Sequence, residues 1–223
     1  MTTPIMLFAA GLGTRMGDLV RDKPKPLIKV AGKALIDHAL DLTMIPEVGQ
    51  RVVNVHYKAE MLRAHLAPHP VLISDETAAL LETGGGLKKA LPLLGAGPVL
   101  TMNTDAVWQG PNPIDTILNA WRPEMEALLL LVRQPQVYGH RGAGDFRINA
   151  DGRLVRAPEA VYSGLQMLRI EGLEAIRDKA FSMNVLWDQI AERGGLYGVH
   201  YAGHWCDVGQ PSSIPLAESM PHV

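Results

Sequence analysis

The sequence predicts an α/β fold: a doubly wound, mostly parallel sheet flanked by helices, with a small antiparallel insertion. Three observations point there. Apolar runs of strand length alternate with segments of helical periodicity over about residues 4 to 132. Several of those runs are apolar throughout, as in strands buried on both faces of a parallel sheet. Beyond Arg133 the texture changes to short strand-like runs around an Asp-Gly turn signal.

Taken in order, "PIMLFAA" from Pro4 to Ala10 is a continuous apolar run that ends on glycine and reads as the first buried strand. Leu35, Ile36, Ala39, Leu40 and Met44 recur at helical spacing, and "RVVNV" from Arg51 to Val55 is the second strand. A helix over Ala59 to Leu66 and a strand over Pro70 to Ser74 follow. Thr83 is placed to cap a helix that opens on Gly84 to Gly86, and "PVLTMNTD" from Pro98 to Asp105 reads as a strand ending on an acidic residue. Helix-like "IDTILNAW" and strand-like "EALLLLV" complete the alternation. In the second part, Asp151-Gly152 sits between two short runs as a hairpin turn, Tyr197, Val199 and Tyr201 alternate as in a half-buried strand, and "PSSIPLAESM" suits a short closing helix. With no linker and no internal repeat, the expectation is one domain over 1–223, with a nucleotide-binding half to about residue 132 and a sugar-binding half from about 133.

The bulk properties exclude several classes. The chain has 223 residues, 47% hydrophobic and 20% charged, enough for a sizeable core and not the composition of a disordered chain. Twenty-one Lys and Arg against 23 Asp and Glu leave a formal charge of −2 with no basic cluster, so neither nucleic acid nor a membrane surface is expected as a partner. The N-terminal apolar stretch lacks a basic leader and is too short to span a bilayer. A lone cysteine, Cys206, excludes an intrachain disulfide and fits a reducing, cytoplasmic setting. Oligomeric state is not legible.

The stretch "FAAGLGTRMGDLVRDKPKPL", Phe8 to Leu27, carries the strongest functional signal. A Walker A loop requires Gly-Lys-Ser/Thr after four residues, and neither Gly11 nor Gly13 leads to one. A dinucleotide fingerprint requires a third glycine where Met16 stands. What remains is G-x-G-T-R followed after a spacer by Pro24-Lys25-Pro26. The glycines allow backbone N–H groups to approach an anion, Arg15 offers a bidentate fork to phosphate oxygens, and Lys25 adds a point charge on a stiff segment. That is the chemistry of a triphosphate site.

The same residues, Gly11, Gly13, Thr14, Arg15, Pro24, Lys25 and Pro26, match the opening signature of the sugar-1-phosphate nucleotidylyltransferases, which this sequence resembles. Asp18 and Val20 stand where many members carry Pro and Thr. The similarity runs on through "VAGKALIDHAL", "LLETGGGLKKALPLLG", "MNTD", "GDF", "SGL" and "HWCDVG", and is greatest to the branch that uridylylates N-acetylmuramate 1-phosphate in peptidoglycan recycling. The resemblance implies a Rossmann-like nucleotide-diphospho-sugar transferase fold and a reaction of an NTP, UTP by preference, with a sugar 1-phosphate to give an NDP-sugar and pyrophosphate.

Its roles fall on matching positions. The resemblance implies Mg²⁺ held by Asp105, at the end of a buried strand and alternatively a cap for the next segment, and by Asp207 in "HWCDVG", alternatively an Asx turn before Gly209. It implies Arg15, Lys25 and Asp105 as the catalytic set, with Arg15 on the triphosphate and departing pyrophosphate and Lys25 bridging the nucleotide and sugar phosphates. Candidate nucleotide contacts are the loop from Ala10 through Gly11, Leu12, Gly13 and Thr14 to Arg15, together with Lys25, His56, Glu82 and Gly85. His56 reads equally as an end-of-strand histidine, and Gly84 to Gly86 as glycines that simply open a helix against the sheet. Asp145, Ser163 and Gly164 are the candidates for the sugar, with Asp145 alternatively a hairpin partner of Arg141 or Arg147. The rival readings are a transferase for glucose, mannose or glucosamine 1-phosphate, a nucleotide-binding regulatory module without catalysis, and, most distantly, a nicotinamide dehydrogenase.

Overall fold

A computed structural model describes residues 2–221, so the expected domain's ends at Met1, His222 and Val223 lie outside the described residues. The strands are β1 (Thr3–Phe8), β2 (Lys29–Val30), β3 (Lys33–Ala34), β4 (Val48–Val55), β5 (Leu72–Asp75), β6 (Val99–Asn103), β7 (Ala106–Gln109), β8 (Ala127–Arg133), β9 (Val137–Tyr138), β10 (Phe146–Ile148), β11 (Leu154–Arg156), β12 (Ala160–Leu168), β13 (Leu196–His200) and β14 (His204–Asp207). The helices are α1 (Leu35–Leu42), α2 (Ala59–Leu66), α3 (Glu82–Leu94), α4 (Pro113–Ala120), α5 (Met183–Glu192) and α6 (Ser213–Glu218).

Nine strands form the central sheet. Strands β5, β4, β1 and β6 run parallel side by side; β12 lies antiparallel between β6 and β8, and β13 pairs parallel with β8. The sheet is therefore mixed and mostly parallel, and both halves of the chain contribute to it. The β10–β11 hairpin extends the far edge, turning over Asn149 to Gly152 with the Gly152 N–H on the Asn149 carbonyl. A smaller sheet, β7–β14–β9, stands beside the main one.

Two-residue periodicity explains why β1 and β8 read as unbroken apolar runs. Ile5, Leu7, Leu128 and Leu130 face one core with Ile36, Leu40, Leu62, Ile114 and Ile117 of the helices α1, α2 and α4. Met6, Leu129 and Leu131 face the other, with Leu87 and Ala90 of α3 and Leu186, Trp187 and Ile190 of α5. Each such side chain contributes about 1.5–3 kcal/mol of burial. A third cluster joins Met16 and Val20 of the glycine loop to Cys206, Val208 and, after them, Ala217 and Met220. That cluster anchors the loop to the small sheet.

Several expected boundaries move. Helix α1 stops at Leu42, leaving Met44 64% exposed, because the chain must turn into β4. Thr83 does not cap α3: the helix starts one residue earlier, and Thr83 Oγ1 accepts the Met183 N–H at the start of α5 instead. Asn112 caps α4, accepting from Ile114 N–H at 2.9 Å with Pro113 in the first turn. Trp108 and Trp205 pack edge to face, 6.4 Å apart, as part of the core. Cys206 is fully buried, and burial pushes its thiol up to about 12. No helix among the described residues is long and apolar enough to cross a membrane.

Candidate active site

Strand β1 delivers the chain to the glycine loop at one end of the sheet, and a short helical turn at Lys25–Leu27 brings it back. The Lys25 side chain is only 10% exposed, and its Nζ donates to Asp105 Oδ2 at 2.7 Å. Gly13 makes room for it: at φ +66° the backbone is left-handed, and a Cβ would stand 2.8 Å from Lys25 Cβ. Asp105 lies two residues beyond the end of β6 and not on the strand, because the ladder to β1 ends with Asn103 opposite Phe8.

Asp207 closes β14, opposite Ala106 in the register with β7. The Val208 N–H donates to the Asp105 carbonyl at 2.8 Å, so adjacent strands of the small sheet bring together two carboxylates distant in sequence. Burial, and after it the Asp105 charge, pushes the Asp207 carboxyl above the usual carboxylate range, against the opposing pull of Lys25, Arg15 and His140. Two half-buried carboxylates brought side by side, offering only hard oxygen donors, fit a divalent cation such as Mg²⁺. Arg15 arrives from the other side of the loop, with its guanidinium beside Gly209 and the Asp207 carboxylate, and lines a small cleft with His140 and Arg141.

Two larger clefts lie nearby, and Asp105 lines the first. The first, about 260 Å³, is lined by Ala10, Gly11, Lys25, Asn54, Glu76, Leu80, Glu82 and Asp105. The second, about 310 Å³, is lined by Asp145, Arg156, Tyr162, Ser182, Asn184 and Trp187. Phe8, Thr83 and Asn103 line both, so the clefts adjoin.

A model of the MobA-like NTP transferase domain matches residues 5–146. The chain belongs to that family. Among curated proteins, this chain is 42% identical to the N-acetylmuramate alpha-1-phosphate uridylyltransferase of Caulobacter vibrioides, over 96% of its own length and 95% of the other. It is 30% identical to the enzyme of the same name from Neisseria meningitidis serogroup B, over 96% of each chain. The inositol-1-phosphate CTP transferase of T. maritima superposes with a TM-score of 0.79 at 13% identity, covering 97% of this chain and 95% of that one, a likeness of fold. HddC from Yersinia pseudotuberculosis superposes at 0.75 with 20% identity, covering 97% and 98%.

Within the site, the expected residues divide. Lys25, Asp105, Asp207 and Arg15 converge, and Gly11 and Glu82 line the first cleft. Ala10 lines it too, but its N–H is taken by Asn54 Oδ1 at 3.2 Å. Leu12, Gly13 and Thr14 lie along the rim outside that lining, with Leu12 and Thr14 exposed. His56 is turned away: its Nδ1 donates to the Glu76 carbonyl at 2.7 Å. Gly85 packs against the Lys179 carbonyl, outside the cleft, which favours the helix-opening reading of the glycines.

On the sugar side, Asp145 lines the second cleft and accepts the Tyr162 N–H at 2.8 Å, not an arginine. Ser163 does not reach that cleft; its hydroxyl donates to the Leu130 carbonyl at 2.8 Å within the irregular part of β12. Gly164 does not line it either. At φ +86° it clears a path for the Asn103 side chain, whose Cβ would stand 2.9 Å from an added Cβ.

Sequence reasoning passed over Asn54, Glu76, Asn103 and Arg156. Asn54 Oδ1 accepts the Ala9 N–H at 2.6 Å, and its Nδ2 donates to Glu76 Oε1 at 2.7 Å. Glu76 is fully buried, Oε2 has no partner among the described residues, and burial pushes its carboxyl upward. The available signal was Asn54 itself, a polar residue inside the apolar run "RVVNV".

Proposed function

We propose that this chain transfers a nucleotidyl group from an NTP, with UTP preferred, to a sugar 1-phosphate, with N-acetylmuramate 1-phosphate preferred, releasing pyrophosphate. The observation that carries the reading is the Lys25–Asp105–Asp207 arrangement, with Lys25 and Asp105 lining the first of two adjoining clefts. The relatives' substrates and the match over nearly the whole chain support it.

The base and ribose occupy the first cleft. The sugar occupies the second, with its phosphate directed toward Lys25 across Asn103. An oxygen of the sugar phosphate attacks the α-phosphorus; the new P–O bond forms as the bond to the β-phosphate oxygen breaks, and pyrophosphate leaves toward Arg15. Lys25 holds the two phosphates together and offsets their mutual repulsion, so positioning and charge neutralisation carry the catalysis. Asp105 and Asp207 would hold Mg²⁺, which when bound neutralises developing charge on the phosphoryl oxygens.

Mass spectrometry of the products from mixed NTPs and sugar 1-phosphates tests the assignment. UDP-N-acetylmuramate is expected to dominate; a dominant GDP-mannose product would replace it with the hexose reading, and no NDP-sugar at all would favour the regulatory module.

A further inference from the structure

The second cleft contains one cation. Arg156 ends β11, opposite Phe146 in the hairpin register. Its guanidinium carbon stands 4.6 Å from the Phe146 ring centroid and 5.8 Å from that of Trp187. The rings themselves are held edge to face, 6.0 Å apart, and Trp187 Nε1 donates to the buried Gln166 at 2.7 Å. Nη2 donates to Asn184 Oδ1 at 2.7 Å and to Asp188 Oδ1 at 3.1 Å. Neither Nε nor Nη1 makes a hydrogen bond among the described residues. The guanidinium is thus fixed in plane by two aromatic faces and two acceptors, with donors left over on a cleft wall.

A neutral sugar needs no such group. Its hydroxyls find Ser182, Asn184 and Asp145 along the same wall. The Asp145 carboxylate does not cancel Arg156, because its Oδ2 is held by the Tyr162 N–H and no ion pair joins the two. The Asp188 pair is half exposed on the arginine side and 66% exposed on the carboxylate side, and a solvated pair of that kind yields readily to a better partner. A carboxylate on the incoming sugar is that partner, since it meets the open donors as a two-pronged acceptor in a site partly screened from water.

We propose that Arg156 reads a carboxylate carried by the sugar, so that the acceptor class is an acidic sugar 1-phosphate, of which a lactyl ether is one form. The inference rests on the nucleotidyltransferase reading and goes beyond it in naming the residue that separates acidic from neutral sugars.

The test compares N-acetylmuramate 1-phosphate with N-acetylglucosamine 1-phosphate, which lacks the whole lactyl ether, carboxylate included, in the wild type, Arg156→Gln and Arg156→Lys. Arg156→Gln is expected to raise KM for the acidic sugar by about 10- to 100-fold while leaving the neutral sugar within about 2-fold, and Arg156→Lys to recover part of the loss. Calorimetric binding of each sugar phosphate follows the same split, and thermal melts identify a variant that fails to fold. Equal losses for both sugars would assign Arg156 to the phosphate common to them, and an unchanged preference would remove it from recognition; either result overturns the proposal. Wild-type protein that transfers nucleotide to neither sugar sinks the nucleotidyltransferase reading, and the binding arm still decides the role of Arg156.

Discussion

Lys25 Nζ and Asp105 Oδ2 stand 2.7 Å apart, the lysine almost fully buried and the carboxylate about one-third exposed. The pair joins the return of the glycine loop to the end of the central parallel strands, and a third group, Asp207, reaches it through the small sheet. Removing Lys25 leaves Asp105 without its ion-pair partner and takes a countercharge from Asp207. Lys25→Ala is therefore expected to lower kcat/KM for pyrophosphate release by about 10²- to 10³-fold, read in a coupled pyrophosphate assay.

Asp207 is expected to show opposite effects on stability and on turnover. Its charge is disfavoured by burial and by Asp105, so Asp207→Asn relieves repulsion in the metal-free protein and raises its melting temperature, while activity falls to background. Added Mg²⁺ is expected to stabilise the wild type and not the variant in thermal melts.

Glu76 gives a pH signature. Its folded-state pKa is raised by burial, so the ionisation penalty is absent when the carboxyl is protonated in both folded and unfolded chains, and is paid as pH rises through the folded value. Glu76→Gln keeps an acceptor for Asn54 and removes the charge. It is expected to melt higher than the wild type at neutral pH, with the gain vanishing below about pH 4, the ordinary glutamate range.

Gly164 and Asn103 form a coupled pair. Gly164→Ala places a methyl against the Asn103 side chain at a backbone angle of +86° and is expected to cost about 1–3 kcal/mol in denaturant unfolding. In the Asn103→Ala background the cost is expected to shrink toward the backbone term alone, and the double-mutant cycle measures the difference.

The parts of this structure legible in sequence are those that local patterning dictates. The apolar runs that became β1, β4 and β8 carry their burial in their composition, and the glycine loop with Arg15 and Lys25 carries its anion chemistry in a contiguous stretch. Asp105 and Asp207 were legible through the family signature, but their closeness depends on the β7–β14 pairing. Ser163 is polar and near the right strand, yet the irregularity in β12 directs its hydroxyl to a backbone carbonyl. Glu76 and Arg156 take their meaning from neighbours supplied by other segments, Asn54 for one and Phe146 with Trp187 for the other. Nothing in the residues immediately around them carries that information.

The most direct measurement of the central claim is pyrophosphate release from UTP and N-acetylmuramate 1-phosphate by the purified wild type with Mg²⁺, with Asp105→Asn alongside. The account predicts stoichiometric pyrophosphate and UDP-sugar from the wild type and none above background from the variant. Absence of release by the wild type across a panel of NTPs and sugar 1-phosphates, or equal release by Asp105→Asn, would contradict it.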